Sequence, residues 1–250
     1  MTKKSRSDFD PRVAKAVRHF WKTRSSQGVA QGELSGELDR GFRRAVTGGK
    51  HLDEFAKLLC NLLIAAGIPR TCLFRGKRGQ ATIPGYFRPT KEWDLIVVAH
   101  GRLLGAIELK AHIGPSFGNN FNNRVEEALG SSQDIWTAYR EHVFGDSPEP
   151  FTGYFMLLEE HAKSTSPVRA VETHFPVVPE FQNVSYAMRW QHTIGRLVHE
   201  RCYHAAAFLL TDSVRGPRGA YREPAAEFTF DRFAAQMCGR IRTNYDTIAP

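Results

Sequence analysis

At 250 residues and a formal net charge of +8, the chain can bury one full hydrophobic core and favours a polyanionic partner, either nucleic acid or an acidic membrane surface. Its four cysteines are scattered without a C-x-x-C pair, which argues against a zinc site or a disulfide framework and favours the cytoplasm. No apolar leader follows the basic start and no run could span a bilayer, so we expect neither a secreted protein nor a membrane partner.

The first part of the chain is predicted to be helical behind a short basic arm. Residues 1–10 are mostly polar and basic, and such an arm either lies along DNA phosphates or is a solvated tail. Apolar residues then recur at helical spacing up to Gly48-Gly49, and a second helix is predicted from His51 to Ala66. The apolar positions of the first stretch are Val13, Val17, Phe20, Trp21, Leu34, Leu38, Phe42 and Val46.

Residues 70–92 are predicted to form a basic loop or an irregular hairpin that leads into Asp94. Glycines and prolines separate its basic residues, which are Arg70, Arg75, Lys77, Arg78, Arg88 and Lys91. Such a loop either holds a DNA backbone or is simply solvated. Its position directly before Asp94 favours the DNA contact, with Arg88 and Lys91 as candidates.

The stretch from Trp93 to Lys110 is predicted to be a buried β-hairpin. Two short runs rich in Val, Ile and Leu, Leu95–Val98 and Leu103–Ile107, flank a turn that contains His100-Gly101. Asp94 stands at the start of the first strand, and Glu108-Leu109-Lys110 ends the second.

The hairpin is expected to bring three charged side chains together at one end. Side chains alternate along a strand, so Glu108 and Lys110 point to one side and Leu109 to the other. Asp94 can reach the same side as Glu108 from the neighbouring strand. Two adjacent carboxylates repel each other unless a cation compensates them, and Lys110 or Mg²⁺ could do so. The alternative is an ordinary surface ion pair at a strand end.

An asparagine-rich loop is predicted from Ile113 to Asn123, and it is followed by Arg124. Asparagine and glycine favour turns, although asparagine amides and arginine also contact bases and phosphates. A long helix from Arg124 to Phe144 is predicted next. The asparagines in question are Asn119, Asn120, Asn122 and Asn123.

The rest of the chain is predicted to alternate strands and helices. Strands at 153–158 and 205–210 surround an extended excursion and a helix from Tyr186 to Tyr203, and a helix from Phe228 to Arg242 closes the chain. A glycine-rich loop after the last strand holds Arg215, Arg218 and Arg222. These arginines could read guanine in the major groove, grip phosphates only, or lie on a mobile surface.

Two sets of residues resemble known nucleases. Asp94 with Glu108-Leu109-Lys110 resembles the PD-(D/E)XK nuclease core, although Trp93 stands where a proline is often found. The segment I-G-P-S-F-G-N-N-F-N-N-R-V-E-E-A-L-G-S, with E-W-D-L before it and D-I-W-T-A-Y-R-E after it, resembles the XhoI family of type II restriction endonucleases. The resemblance covers most of the chain.

The resemblance implies a fold and a chemistry. The expected fold is a single α/β domain over residues 1–250, in which helices flank a mixed central sheet. Asp94, Glu108 and the carbonyl of Leu109 would bind Mg²⁺, and Lys110 would orient or help activate a water that hydrolyses a DNA phosphodiester. Glu54, from the preceding helix, is a candidate further acid, with the alternative that it only opens that helix.

The resemblance also implies partners and a target. A homodimer is expected on a palindrome in double-stranded DNA, with CTCGAG cut to leave a four-base 5′ overhang and a cognate DNA methyltransferase protecting the host. Two alternatives stay open. One is a repair or junction-resolving nuclease of the same superfamily, and the other is a non-catalytic DNA-binding protein on this scaffold.

Overall fold

The computed structural model describes residues 10–35, 50–76 and 79–248. The basic arm, apart from Asp10, lies outside these ranges, as do Lys77, Arg78 and the predicted helical positions Leu38, Phe42 and Val46. Within the described ranges, no helix has both the length and the apolar character needed to cross a membrane.

A mixed sheet forms the centre of the molecule, as predicted, and it has five strands. Its strand order is β1-β4-β5-β6-β7, with β1, β4 and β5 antiparallel and β5, β6 and β7 parallel. Strands β2 and β3 pair separately as a two-stranded antiparallel ribbon. The strands are β1 (Leu73–Phe74), β2 (Thr82–Pro84), β3 (Thr90–Glu92), β4 (Leu95–Ala99), β5 (Arg102–His112), β6 (Phe151–Glu159) and β7 (Ala205–Thr211).

Helices cover both faces of the sheet, which gives two apolar cores. One core packs α1, α2 and α6 on the sheet, and the other packs α3 and α5 on the opposite face. The helices are α1 (Pro11–Ser35), α2 (Asp53–Ala65), α3 (Phe117–Arg140), the single turn α4 (Ala162–Thr165), α5 (Tyr186–His199) and α6 (Phe230–Ile248). This three-layer arrangement confirms the predicted α/β fold class.

The predicted hairpin is strands β4 and β5. His100 and Gly101 both have positive φ, 51° and 72°, as a tight two-residue turn requires. Leu109 belongs to the core under α1, whereas Ala106 belongs to the core under α3. Because side chains alternate along β5, Glu108 and Lys110 point with Ala106 towards α3.

The asparagine-rich segment is helical, so the prediction of a loop from Ile113 to Asn123 was wrong. Helix α3 begins at Phe117 and ends at Arg140, rather than running from Arg124 to Phe144. Phe117 and Phe121 lie one turn apart and are both buried against the core that contains Trp190. Asparagine has a weak helix propensity and favours turns, which is why a loop is predicted from local sequence. The burial of the two phenylalanines outweighs that preference.

Two later helix boundaries also differ from the predictions. Helix α5 ends at His199, four residues before the predicted end at Tyr203, and Arg201 just beyond it has a φ of 58° that does not continue a helix. Helix α6 ends at Ile248 rather than at Arg242, and Tyr245 and Ile248 in its last turns still pack against the core.

Candidate active site

Asp94, Glu108 and Lys110 lie together at the open end of the β4–β5 hairpin. Leu95 pairs with Ile107, so Asp94 stands beside Glu108 across the two strands. The Leu109 amide donates to Asp94 Oδ2 at 2.7 Å, and the Lys110 ammonium contacts Glu108 Oε1. Since the N–H and C=O of a strand residue point to the same neighbouring strand, the Leu109 carbonyl also faces the Asp94 side.

A second lysine reaches the same cluster from the β2–β3 ribbon. Lys91 Nζ lies 2.8 Å from Glu108 Oε2, and it also lies 4.6 Å from the centre of the Trp93 ring. Glu108 therefore has one ammonium group on each carboxylate oxygen, although only 4% of its side chain is exposed. Lys91 was predicted to contact the DNA backbone, whereas the structure places its ammonium on a buried acid.

Burial and neighbouring charge shift both carboxylates, in opposite directions. Burial raises the pKa of Asp94 to about 6, and the negative charge of Glu108 adds to the shift. Burial alone would raise the pKa of Glu108 as well, but the ammonium groups of Lys110 and Lys91 outweigh it and lower the pKa. Asp94 therefore carries a negative charge that its surroundings compensate only in part, which favours an added cation.

Helix α3 supplies a further ion pair beside Lys110. Glu127 Oε2 lies 3.8 Å from Lys110 Nζ and 2.6 Å from Arg124 Nη1. Arg124, a candidate DNA contact, is thus held next to the cluster. Glu127 follows Arg124 by three residues, a spacing that places the two side chains on the same face of a helix.

Glu54 is not brought into the cluster with Asp94 and Glu108. Its carboxylate lies 2.6 Å from Lys15 Nζ on α1 and 3.9 Å from Lys57 Nζ on its own helix. These lysines lower the pKa of Glu54. Within residues 10–35, 50–76 and 79–248, there is no group of three or more His, Cys, Asp or Glu side chains that could hold a metal ion. The role of Glu54 as a further acid at the site stays a prediction.

The candidate DNA-contact residues lie in three places. Arg88 donates to the buried Asp134 at 2.8 Å. Arg222 pairs with Glu160 at 2.7 Å, and Arg215 pairs with Asp212 at 2.7 Å, so these two side chains are held by ion pairs at the end of the sheet. Arg218 is exposed in the same segment. On the first turns of α3, Asn119, Asn122 and Asn123 are exposed and Asn120 is half-buried.

His112 continues the row of Glu108 and Lys110 on β5 and is buried under α5. Trp190 Nε1 donates to its Nδ1 at 2.7 Å. Burial, together with the nearby charge of Arg124, lowers the pKa of His112 to about 4. The imidazole is therefore neutral at pH 7 and serves as the acceptor for the Trp190 indole.

This buried histidine predicts acid sensitivity of the fold. An unfolded histidine takes up a proton near pH 6.5, whereas His112 in the folded protein does so only near pH 4. The folded protein therefore has its full stability above pH 6.5 and loses stability as the pH falls towards 4. The loss from this one group reaches at most about 3 kcal/mol. We expect His112→Asn to be less stable at pH 7 but to lose less stability on acidification, as measured by urea unfolding. The matched control is His174→Asn at an exposed position, and it should show the pH dependence of the wild type. Parallel curves of unfolding free energy against pH for His112→Asn and the wild type would contradict the assignment.

Comparisons with known proteins match this chain over most of its length. The family model for the restriction endonuclease XhoI matches residues 31–223, a range that contains Asp94, Glu108 and Lys110. The type II restriction enzyme BstVI of Geobacillus stearothermophilus is 47% identical over 210 residues, which is 82% of this chain and 93% of the relative.

Two further relatives are similar. The type II restriction enzyme XhoI of Xanthomonas vasicola is 41% identical over 192 residues, covering 77% of this chain and 76% of the relative. The type II restriction enzyme AbrI of Azospirillum brasilense is 44% identical over 169 residues, covering 68% and 75% respectively. No solved structure matches the chain.

Proposed function

The chain belongs to the XhoI family of restriction endonucleases and is a site-specific endonuclease, and we propose that Asp94, Glu108 and Lys110 form the centre at which it hydrolyses DNA. The observation that carries the proposal is the convergence of two largely buried carboxylates with Lys110 and Lys91 at the end of one hairpin. Burying so much charge is unfavourable unless the charges compensate one another, and such clusters are typical of functional sites.

Mg²⁺ is the proposed cofactor, held by Asp94, Glu108 and the Leu109 carbonyl. A magnesium site commonly uses one or two carboxylates with waters and substrate phosphate oxygens, so a larger group of acidic ligands is not required. The raised pKa of Asp94 supports the fit, because it reports a carboxylate whose charge is incompletely compensated. Bound there, the ion would supply polarisation of a phosphoryl oxygen and a lower pKa for a bound water.

The protein groups have separate tasks in the proposed hydrolysis. The Leu109 amide fixes the Asp94 carboxylate, and Lys91 fixes Glu108 from the opposite side to Lys110. Lys110 would donate a hydrogen bond to the attacking water, or stabilise the negative charge that develops on the phosphate. In-line attack would then leave a 5′-phosphate and a 3′-hydroxyl.

Target and assembly are proposed from family membership. Two subunits would act on a palindrome in double-stranded DNA, because two-fold protein symmetry matches two-fold DNA symmetry. We propose CTCGAG as the site, a four-base 5′ overhang as the product and a methyltransferase as the genetic partner of this single-domain, cytoplasmic enzyme. The exposed asparagines of α3, with Arg124 and the arginine segment 215–222, are the proposed DNA contacts.

Digestion of a plasmid of known sequence in Mg²⁺, followed by sequencing of the ends, tests the proposal. We expect discrete fragments whose ends all fall within one palindrome. Smearing or nicking that depends on DNA structure would instead indicate a repair or junction-resolving enzyme. Binding without any cleavage would indicate a non-catalytic DNA-binding protein.

A further inference from the structure

The turn between β2 and β3 presents two aromatic rings to solvent. Tyr86 is 49% exposed and Phe87 is 66% exposed. Their rings contact each other edge to face, with centroids 5.2 Å apart. Adjacent exposed aromatic rings are unfavourable in water and frequently mark an interaction site. We refer to residues 85–88 as the aromatic tip.

A buried carboxylate holds the aromatic tip in place. The amides of Tyr86 and Phe87 donate to Asp134 Oδ1 at 2.8 and 2.9 Å, and Arg88 Nε donates to Oδ2 at 2.8 Å. Burial alone would raise the pKa of Asp134, but Arg88 and the two amides lower it. Gly85 packs so closely that an added Cβ would lie 2.6 Å from Asp134 Oδ2. The tip is therefore a fixed structure rather than a loose loop.

The ribbon connects the aromatic tip to the candidate catalytic cluster. Strand β3 begins two residues after the tip and contains Lys91, whose ammonium lies 2.8 Å from Glu108. Phe87 and Lys91 are four residues apart, and residues 86–89 form a bend, so the two backbone positions are separated by less than the roughly 14 Å of four fully extended residues. That upper limit corresponds to about four base-pair steps at about 3.4 Å each. A duplex whose phosphate reached Glu108 would thus pass within reach of the tip.

We propose that Tyr86 and Phe87 form an apolar wedge that inserts at a base step of the bound DNA. The inference rests on the proposed function, since it requires DNA at the Asp94–Glu108 cluster. Inserted aromatic or aliphatic side chains partly unstack a base step and bend the duplex. The energy of that deformation depends on the sequence, so the wedge would add specificity without hydrogen bonds to base edges.

DNA fits the aromatic tip better than a second protein subunit does. The tip is continuous, through the ribbon, with the cluster that would meet the scissile phosphate. Arg88 lies directly beside the rings and pairs with the buried Asp134, so the acid behind the tip is neutralised and does not repel a phosphate. The chain as a whole carries a net charge of +8.

The test compares Phe87→Ala with Phe175→Ala, which removes another exposed ring, one that is 84% exposed outside the ribbon. Each protein is mixed with a short duplex built around the cut site mapped for the wild type. The duplex carries 2-aminopurine at successive positions, and Ca²⁺ replaces Mg²⁺ to allow binding without cutting. We expect wild type and Phe175→Ala to raise the fluorescence at one step severalfold, as unstacking does. Phe87→Ala should abolish the rise and weaken binding about tenfold, the size of one lost aromatic–base stack.

The outcomes separate the wedge from the proposed function. If Phe87→Ala gives the wild-type fluorescence rise and affinity, the wedge is wrong while the endonuclease assignment stands. If Phe87→Ala turns a dimer into a monomer in sedimentation without DNA, the tip belongs to a subunit interface and the wedge is again wrong. Failure of the wild type to cut at any fixed site would instead overturn the proposed function, and the plasmid digest detects it independently.

Discussion

Glu108→Gln is expected to reduce the rate of DNA cleavage by at least about 10³-fold while leaving specific binding within a few-fold of the wild type. The substitution keeps the shape of a side chain that is only 4% exposed, but it removes the charge that faces Asp94 and both lysines. In the proposed mechanism, cation binding and charge stabilisation depend on that carboxylate, whereas the proposed base and phosphate contacts lie on α3 and on the segment after β7.

Single-turnover cleavage of a duplex that contains the mapped site measures the chemical step, and a mobility-shift titration measures binding. Glu126→Gln is the matched control, because it neutralises an exposed acid on α3 and should cleave like the wild type. Wild-type cleavage by Glu108→Gln would remove Glu108 from the site. A parallel loss of binding and cleavage would assign it to DNA recognition instead.

Local spacing was sufficient to predict the hairpin and its charged end. Apolar runs of strand length with His100-Gly101 between them predicted β4 and β5, and their two-residue alternation predicted that Glu108 and Lys110 share a face. Asp94 follows from the same register, because it stands one residue before Leu95, which pairs with Ile107. These features depend on residues that are near one another in the sequence.

Features that depend on distant residues were not predicted. Arg88 pairs with Asp134, 46 residues away, and Lys91 pairs with Glu108, 17 residues away. Nothing in the spacing of a basic loop shows which of its cations meets a buried acid and which remains free for DNA. The asparagine segment is a similar case, because α3 forms there through the burial of Phe117 and Phe121 against a helix far along the chain.

The two lysines on Glu108 are not equivalent, and their difference defines what each should do. Lys91 is 11% exposed and packs over the Trp93 ring, so it is covered by protein. Lys110 is 21% exposed and lies between Glu108 and Glu127. Its pKa is raised, because the charges of Glu108 and Asp94 outweigh the opposing effect of burial. Lys110 thus stays protonated and is the more open of the two to an incoming phosphate or water.

Lys110→Met is therefore expected to lower the single-turnover cleavage rate by about 10³-fold, with specific binding retained, because it removes the ammonium group that is proposed to act on the attacking water or the phosphate. Lys91→Met should have a smaller effect, about tenfold, since Lys110 still compensates Glu108 and only the orientation of that carboxylate is loosened. Lys91→Arg should restore most of the rate if orientation is the whole role of Lys91. Measuring all three against wild type at the same Mg²⁺ concentration distinguishes the roles. If Lys91→Met is the more damaging substitution, the two assignments are reversed, and Lys91 rather than Lys110 acts on the substrate.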